Sequence, residues 1–240
     1  MQMSVYAGSE RFASRLPDRV THHSFSFGEF YDPENVSFGP LVAHDDHHLS
    51  WGAGFEEHRH ADVELVTWVL HGTLVHTDSL GHASTLPAGT VQVQSAGTGI
   101  THAEHADTSA EPTRFVQSWL RPDEPGEPPA RFTAAGLAGP GLVAVAGEGG
   151  QLPVGTRGAT LWIGTLEAGS EHPLPVSPRH HLFVATGSVR LRLPSLGGGH
   201  GEPALLEAGD AVRLWDAEGE EGLAVAAVTA AEVLLWTLPA

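Results

Sequence analysis

A chain of 240 residues sits at the upper end of one domain or within two, and its 41% hydrophobic content with mean hydropathy near zero is that of a globular chain, neither disordered nor collagen-like. Its 29 acidic against 12 basic residues give a formal net charge of −17, and every basic residue is arginine, a balance that repels phosphate backbones and anionic membranes and argues against direct nucleic-acid binding. The absence of cysteine removes disulfides, zinc knuckles and thiol nucleophiles, so any metal must be held by carboxylates and the 16 histidines.

The first twenty residues carry no basic stretch followed by an apolar one, and no uncharged apolar run approaches the ~18 residues of a spanning helix. A soluble, cytoplasmic monomer is expected. His22 and His23 precede SFSF and read as polar residues at the start of a strand. His44, Asp45, Asp46, His47 and His48 form a dense polar cluster, expected as a solvated loop rather than a second ion site. From residue 63 to 93, VELVTWVL, HGT, LVHTDSLGHASTLPAG and TVQVQ alternate short β-branched or aromatic runs with turn signals, an all-β rhythm. His71, His76 and His82 surround a hairpin there and are expected to face solvent, with the alternative that His76, which shares strand parity with the apolar Leu74, lines the barrel. SAGTG at residues 95–99 lacks the lysine and following helix of a phosphate loop and reads as a tight turn that delivers His102.

Residues 121–158 are rich in Pro, Gly and Ala, contain at most a short strand at 142–146, and connect two halves, which places domains at residues 1–125 and 126–240. The rhythm then resumes, and the halves resemble each other. LVTWVLHGTLVH (65–76) aligns without gaps on HHLFVATGSVRL (180–191), bringing Gly72 onto Gly187, and TLPAGT (85–90) matches LLEAGD (205–210). Two copies of one β-module, each closed as a barrel or double sheet to remove exposed edges, are expected.

The chemistry lies in the first copy: Gly52-x5-His58-x-His60-x3-Glu64-x7-Gly72, then Gly81-x5-Pro87-x-Gly89, then His102-x-Glu104. Residues two apart on a strand project to one face, so His58 with His60 and His102 with Glu104 make two pairs that can meet as a four-ligand site. Three imidazoles and a carboxylate suit divalent Fe, Mn, Ni, Cu or Zn and leave open positions on a six-coordinate ion. In the second copy the His58, His60 and Glu64 positions fall on Pro173, Pro175 and Arg179, and the His102 position on Gly222, so the later module is expected to hold no metal.

Residues 52–89 resemble the two cupin motifs, and the wider stretch through SFSFGEFYDPENVSFGPL, HRHADVELVTWVLHGTLVHTDSLG and SAGTGITHAEH resembles the pirin family. That resemblance implies an all-β bicupin of two tandem cupin (double-stranded β-helix, jelly-roll) barrels with one metal, Fe(II) first among the candidates, in the N-terminal barrel. Many cupins ligate through the acid of the first motif, here Glu64, whereas pirins use the Glu two places after the last His; the pirin pattern assigns His58, His60, His102 and Glu104. Glu64 is then expected to orient a ligand or to be a rim carboxylate. Phe55 and Trp68 are candidates for the pocket wall, with core packing the first expectation.

The resemblance also implies quercetin 2,3-dioxygenase activity, in which an aromatic, oxygen-bearing flavonol and dioxygen are the partners, carbon monoxide leaves, and Glu104 doubles as ligand and base for the 3-hydroxyl proton. The competing expectation is a non-enzymatic metal-binding redox sensor or transcriptional co-regulator acting through a protein partner.

Overall fold

The computed structural model describes residues 1–109, 111–137, 139–193, 204–220 and 222–240. Among these it is built from β-strands and one three-residue 3₁₀ turn at Gly8–Glu10, and no helix is long and apolar enough to cross a membrane.

The chain divides into two compact units. The earlier unit comprises Arg11–Leu137 and Gln151–Arg157; the later comprises Met1–Glu10, Ala138–Gly150 and Gly158–Ala240. The units are therefore not two consecutive halves meeting at residue 125. Strand pairing explains the N-terminal exception: Gln2–Tyr6 runs antiparallel to Ala211–Trp215, with Met3 opposite Leu214 and Val5 opposite Val212.

In the earlier unit a seven-stranded sheet has the order Ala130–Ala135, Thr90–Ser95, Glu64–His71, Thr113–Leu120, Leu41–Leu49, Arg19–His23, Phe12–Arg15. A four-stranded sheet has the order Gly54–His60, Ile100–Ala106, Thr73–Asp78, Ala83–Pro87. The later unit repeats this plan, with a six-stranded sheet (Gln2–Tyr6, Ala211–Trp215, Arg179–Thr186, Ala231–Leu238, Thr160–Leu166, Gly141–Gly147) and a four-stranded one (Glu171–Pro173, Ala224–Ala227, Ser188–Arg192, Leu205–Glu207). This is the double-sheet jelly roll of a bicupin. In the repeat, Gln2–Tyr6 takes the edge that Ala130–Ala135 takes in the earlier unit. The strand expected at 142–146 is present as Gly141–Gly147, but it does not stand alone in the connection: Ala130–Ala135 is also a strand, held by pairing with Thr90–Ser95 that no local pattern announces.

The aligned glycines show why the repeat is legible. Gly72 (φ +70) and Gly187 (φ +73) both turn the chain through the left-handed region, and a Cβ on Gly72 would stand 2.7 Å from the Pro112 carbonyl. A Cβ on Gly187 would meet the Ala230 carbonyl in the same way. Only glycine satisfies both conditions.

One sequence expectation is overturned here. His44, Asp45, Asp46, His47 and His48 are not a solvated loop but part of the Leu41–Leu49 strand, and the first four are buried. The strand lies inside its sheet, paired on both sides, and each of the four buried side chains has a polar partner: Asp45 with His23 (3.1 Å), Asp46 with Arg114 (2.9 Å), His47 with Thr21 (2.9 Å) and His44 with Ser118 (2.9 Å). Burial of polar side chains is tolerated when such partners exist. His22 and His23 likewise close the Arg19–His23 strand rather than start one.

Candidate metal centre

The centre is assembled by the four-stranded sheet. Ile100–Ala106 alternates buried and half-buried residues, so Ile100, His102, Glu104 and Ala106 all point inward. Gly54–His60 pairs with it, placing His58 directly opposite His102, and a bulge between His102 and Glu104 shifts the register. Ring nitrogens of His58, His60 and His102, one from each, lie within 4.8 Å of one another, close enough to hold one ion. Their ring centroids are 4.5 Å (58 to 102), 4.8 Å (58 to 60) and 4.9 Å (60 to 102) apart. Imidazoles sharing an ion through bonds of roughly 2.0–2.1 Å have nitrogens about 3–4 Å apart, so the three are already near that spacing.

Two details fit a cation. His58 Nδ1 donates to the Glu56 carbonyl at 2.7 Å, which leaves the lone pair on Nε2, and that atom faces His102 Nε2 at 3.1 Å. His60 Nε2 is buried with no hydrogen-bond partner. Burial, reinforced by the neighbouring His102 and His58, pushes the His60 pKa down to about 4, and burial lowers that of His102. Both are neutral at pH 7, the state a metal requires.

The fourth expected ligand stands one step away. Glu104 groups with His102 and His76 rather than with His58 and His60, so His102 is common to two clusters. Burial alone would raise the Glu104 pKa; the His76 hydrogen bond, the electrostatic influence of the neighbouring His102 and His76 rings and the Gln117 amide outweigh it and hold the value at about 2. Gln117 Nε2 donates to both Glu104 oxygens (3.2 and 3.0 Å), while Trp119 Nε1 donates to Gln117 Oε1 at 2.9 Å and so sets which way the amide points. Trp119 also meets the His60 ring edge-on, centroids 5.0 Å apart.

Sequence reading missed most of this support. His76 is fully buried, 3.8 Å from Glu104 and 3.2 Å from Asp78, whereas His71 and His82 are exposed as expected. Its parity with Leu74 was the available signal. Gln117 and Trp119 lie on Thr113–Leu120 and carry no local signal. Glu64 does not turn toward an imidazole: its carboxylate is buried and accepts from Ser95 Oγ (2.7 Å) and the Gly155 amide (3.0 Å). Trp68 is a core residue, while Phe55 does face the cavity.

That cavity, about 510 Å³, opens beside the centre. Its wall combines His58, His60, Glu104 and Gln117 with apolar Phe27, Phe55 and Trp119, and with Arg19. All three groups of side chains able to share a metal among the described residues, the third being His22, Asp46 and His48, lie in the earlier unit.

Comparison with known proteins agrees with this architecture. Residues 8–120 match the family model for pirin. Rv0181c of Mycobacterium tuberculosis is 39% identical over 232 residues, 92% of this chain and 88% of its own length. The Escherichia coli K12 protein named quercetin 2,3-dioxygenase is 34% identical over 223 residues, 90% of each chain. The nickel(II) complex of the bacterial pirin YhhW from E. coli superposes with a TM-score of 0.85 over 99% of both chains at 29% identity. Family match, identity along nearly the whole chain and shared two-unit topology lead to one conclusion: this chain belongs to the pirin family.

Proposed function

We propose that the protein holds one divalent transition metal on His58, His60, His102 and Glu104 and uses it for oxygen-dependent cleavage of a flavonol such as quercetin. The observation that carries this reading is the unpartnered, buried His60 Nε2 beside the rings of His58 and His102, at the wall of a cavity large enough for an aromatic substrate. When bound, the metal supplies the electronic step by which flavonol and dioxygen react. Iron(II) leads among the candidates, and the nickel(II) held by the related YhhW makes nickel the first competitor.

The chain's own residues do the rest. Phe27, Phe55 and Trp119 offer apolar faces to a planar ring system and exclude water. Glu104, a carboxylate at neutral pH, is the base placed to accept the 3-hydroxyl proton. Gln117, oriented by Trp119, keeps that carboxylate aimed. A sensor acting only through its surface has no need of a substrate-sized recess beside the ion, and this favours the enzymatic reading over the regulatory one.

The deciding experiment follows the near-visible absorbance of quercetin in air with protein loaded in turn with Fe(II), Ni(II) and Mn(II). Loss of absorbance with at least one metal, abolished in His58→Ala, is expected. No loss with any metal, or equal loss in the variant, overturns the proposal for this substrate.

A further inference from the structure

We propose that Arg19 selects the ligand of this cavity, favouring aromatic molecules that carry a carboxylate or phenolate at the end remote from their metal-binding oxygens; the inference rests on the metal-centre reading above. Arg19 opens the Arg19–His23 strand and lines the same cavity as His58 and His60. Its guanidinium carbon lies 4.7 Å from the centroid of Phe55, and Nη1 donates to the Gly54 carbonyl. Phe55 in turn stands 6.4 Å, centroid to centroid, from His58. A fixed cation and a metal-binding imidazole therefore flank one aromatic ring.

The charges around Arg19 make this a recognition element rather than a structural ion pair. Among the described residues no carboxylate lies within ion-pair distance of it, in a chain with 29 acidic residues. Three of the four acids lining the cavity have partners of their own, Asp45 with His23 at 3.1 Å, Glu104 with Gln117 at 3.0 Å and Glu56 with His105 at 3.4 Å, and the fourth, Glu57, is exposed and outside ion-pair distance of Arg19. Most of the five N–H donors of Arg19 thus lack a protein acceptor. Stacked on Phe55, the planar fork is already held for two-point recognition of a carboxylate or acidic phenol, at little further loss of side-chain freedom.

The test uses ligand pairs that differ only in this charge: protocatechuate with its methyl ester, and caffeate with its methyl ester. Each is titrated into metal-loaded protein and read by intrinsic tryptophan fluorescence. Wild type is expected to bind the acid of at least one pair about tenfold or more tightly than the ester, the size of a charge-assisted hydrogen bond. Arg19→Gln is expected to erase that preference while ester affinity changes by less than about twofold, and Arg19→Lys, which keeps the charge without the fork, to retain part of it. Equal affinities in wild type, no binding of either pair, or a preference that survives Arg19→Gln overturns the proposal. So does a parallel loss of ester binding in both variants, which marks Arg19 as a structural support of the Phe55 wall. Neither pair depends on turnover: a protein that selects the acids through Arg19 but leaves quercetin intact keeps this inference and loses the dioxygenase reading.

Discussion

The two units share a topology and differ in what fills them. In the earlier unit Gln92, Thr67, Gln117 and Asp45 stand side by side across four strands, and Glu104 faces His76 across the other sheet. The same register in the later unit reads Val212, Leu182, Leu235 and Trp162, and Val225 faces Leu191. All but Trp162 are buried members of one hydrophobic core, and Trp162 packs against it. One plan thus supports either a hydrocarbon core or a polar chamber. Each methylene buried in the later core contributes about 0.8 kcal/mol, whereas each polar group in the earlier one must find a partner or lose about 1–3 kcal/mol. The earlier unit keeps its Leu49, Val69, Leu74, Leu86 and Phe115 cluster as its apolar ballast. Polar side chains occupy in the earlier unit the space that apolar packing fills in the other copy.

This comparison can be broken. His102→Ala removes the residue common to both ligand clusters, and metal analysis is expected to fall from about one ion per chain to below about a tenth; retention of the ion would show that the centre is elsewhere. Transplanting the acid into the other unit as Val225→Glu places a charge among hydrocarbon, and chemical denaturation is expected to show a loss of about 3–5 kcal/mol with no second ion gained. A mild effect would mean that the later core is wetter than its packing implies.

Smaller changes sharpen it. Gln117→Leu substitutes the later unit's residue at the matched position, takes away the amide that holds Glu104, and is expected to weaken metal affinity about 10–100-fold by competitive chelator titration. Acid sensitivity should follow the chamber's histidines. The pKa of His60 is about 4 in the folded metal-free protein and that of His102 is lowered, against 6.5 for the ordinary side chain. Between those values the unfolded chain binds more protons, so the stability these groups contribute is complete above pH 6.5 and is lost as pH falls toward 4. Glu104, at about 2 against 4.5, contributes above pH 4.5 and loses that contribution below it. Urea midpoints of metal-free protein are expected to decline over the first window, and less steeply in His60→Gln. The smallest effect separates the two candidate carboxylates: Glu64→Gln is expected to leave metal content unchanged and to reduce stability by about 1 kcal/mol, because only the contacts to Ser95 and Gly155 are altered.

The sequence by itself determined the β rhythm, the repeat joined at Gly72 and Gly187, the His58/His60 and His102/Glu104 pairs, and the Pro173 and Pro175 that stand in the later copy where His58 and His60 stand in the earlier one. These are short-range facts: residues two apart on a strand share a face whatever surrounds them, and a left-handed turn demands glycine locally. Counting residues carried the comparison less far at the second pair, reaching Gly222 where strand register places Ala224 and Val225. Only the tertiary structure decided that residues 44–47 are buried, that His76 and Gln117 attend Glu104, that Glu64 belongs to Ser95 and Gly155, and that Gln2–Tyr6 completes the later unit's sheet. Each of those depends on which strand lies beside which, and cross-strand register joins residues tens or hundreds of positions apart that no local pattern links.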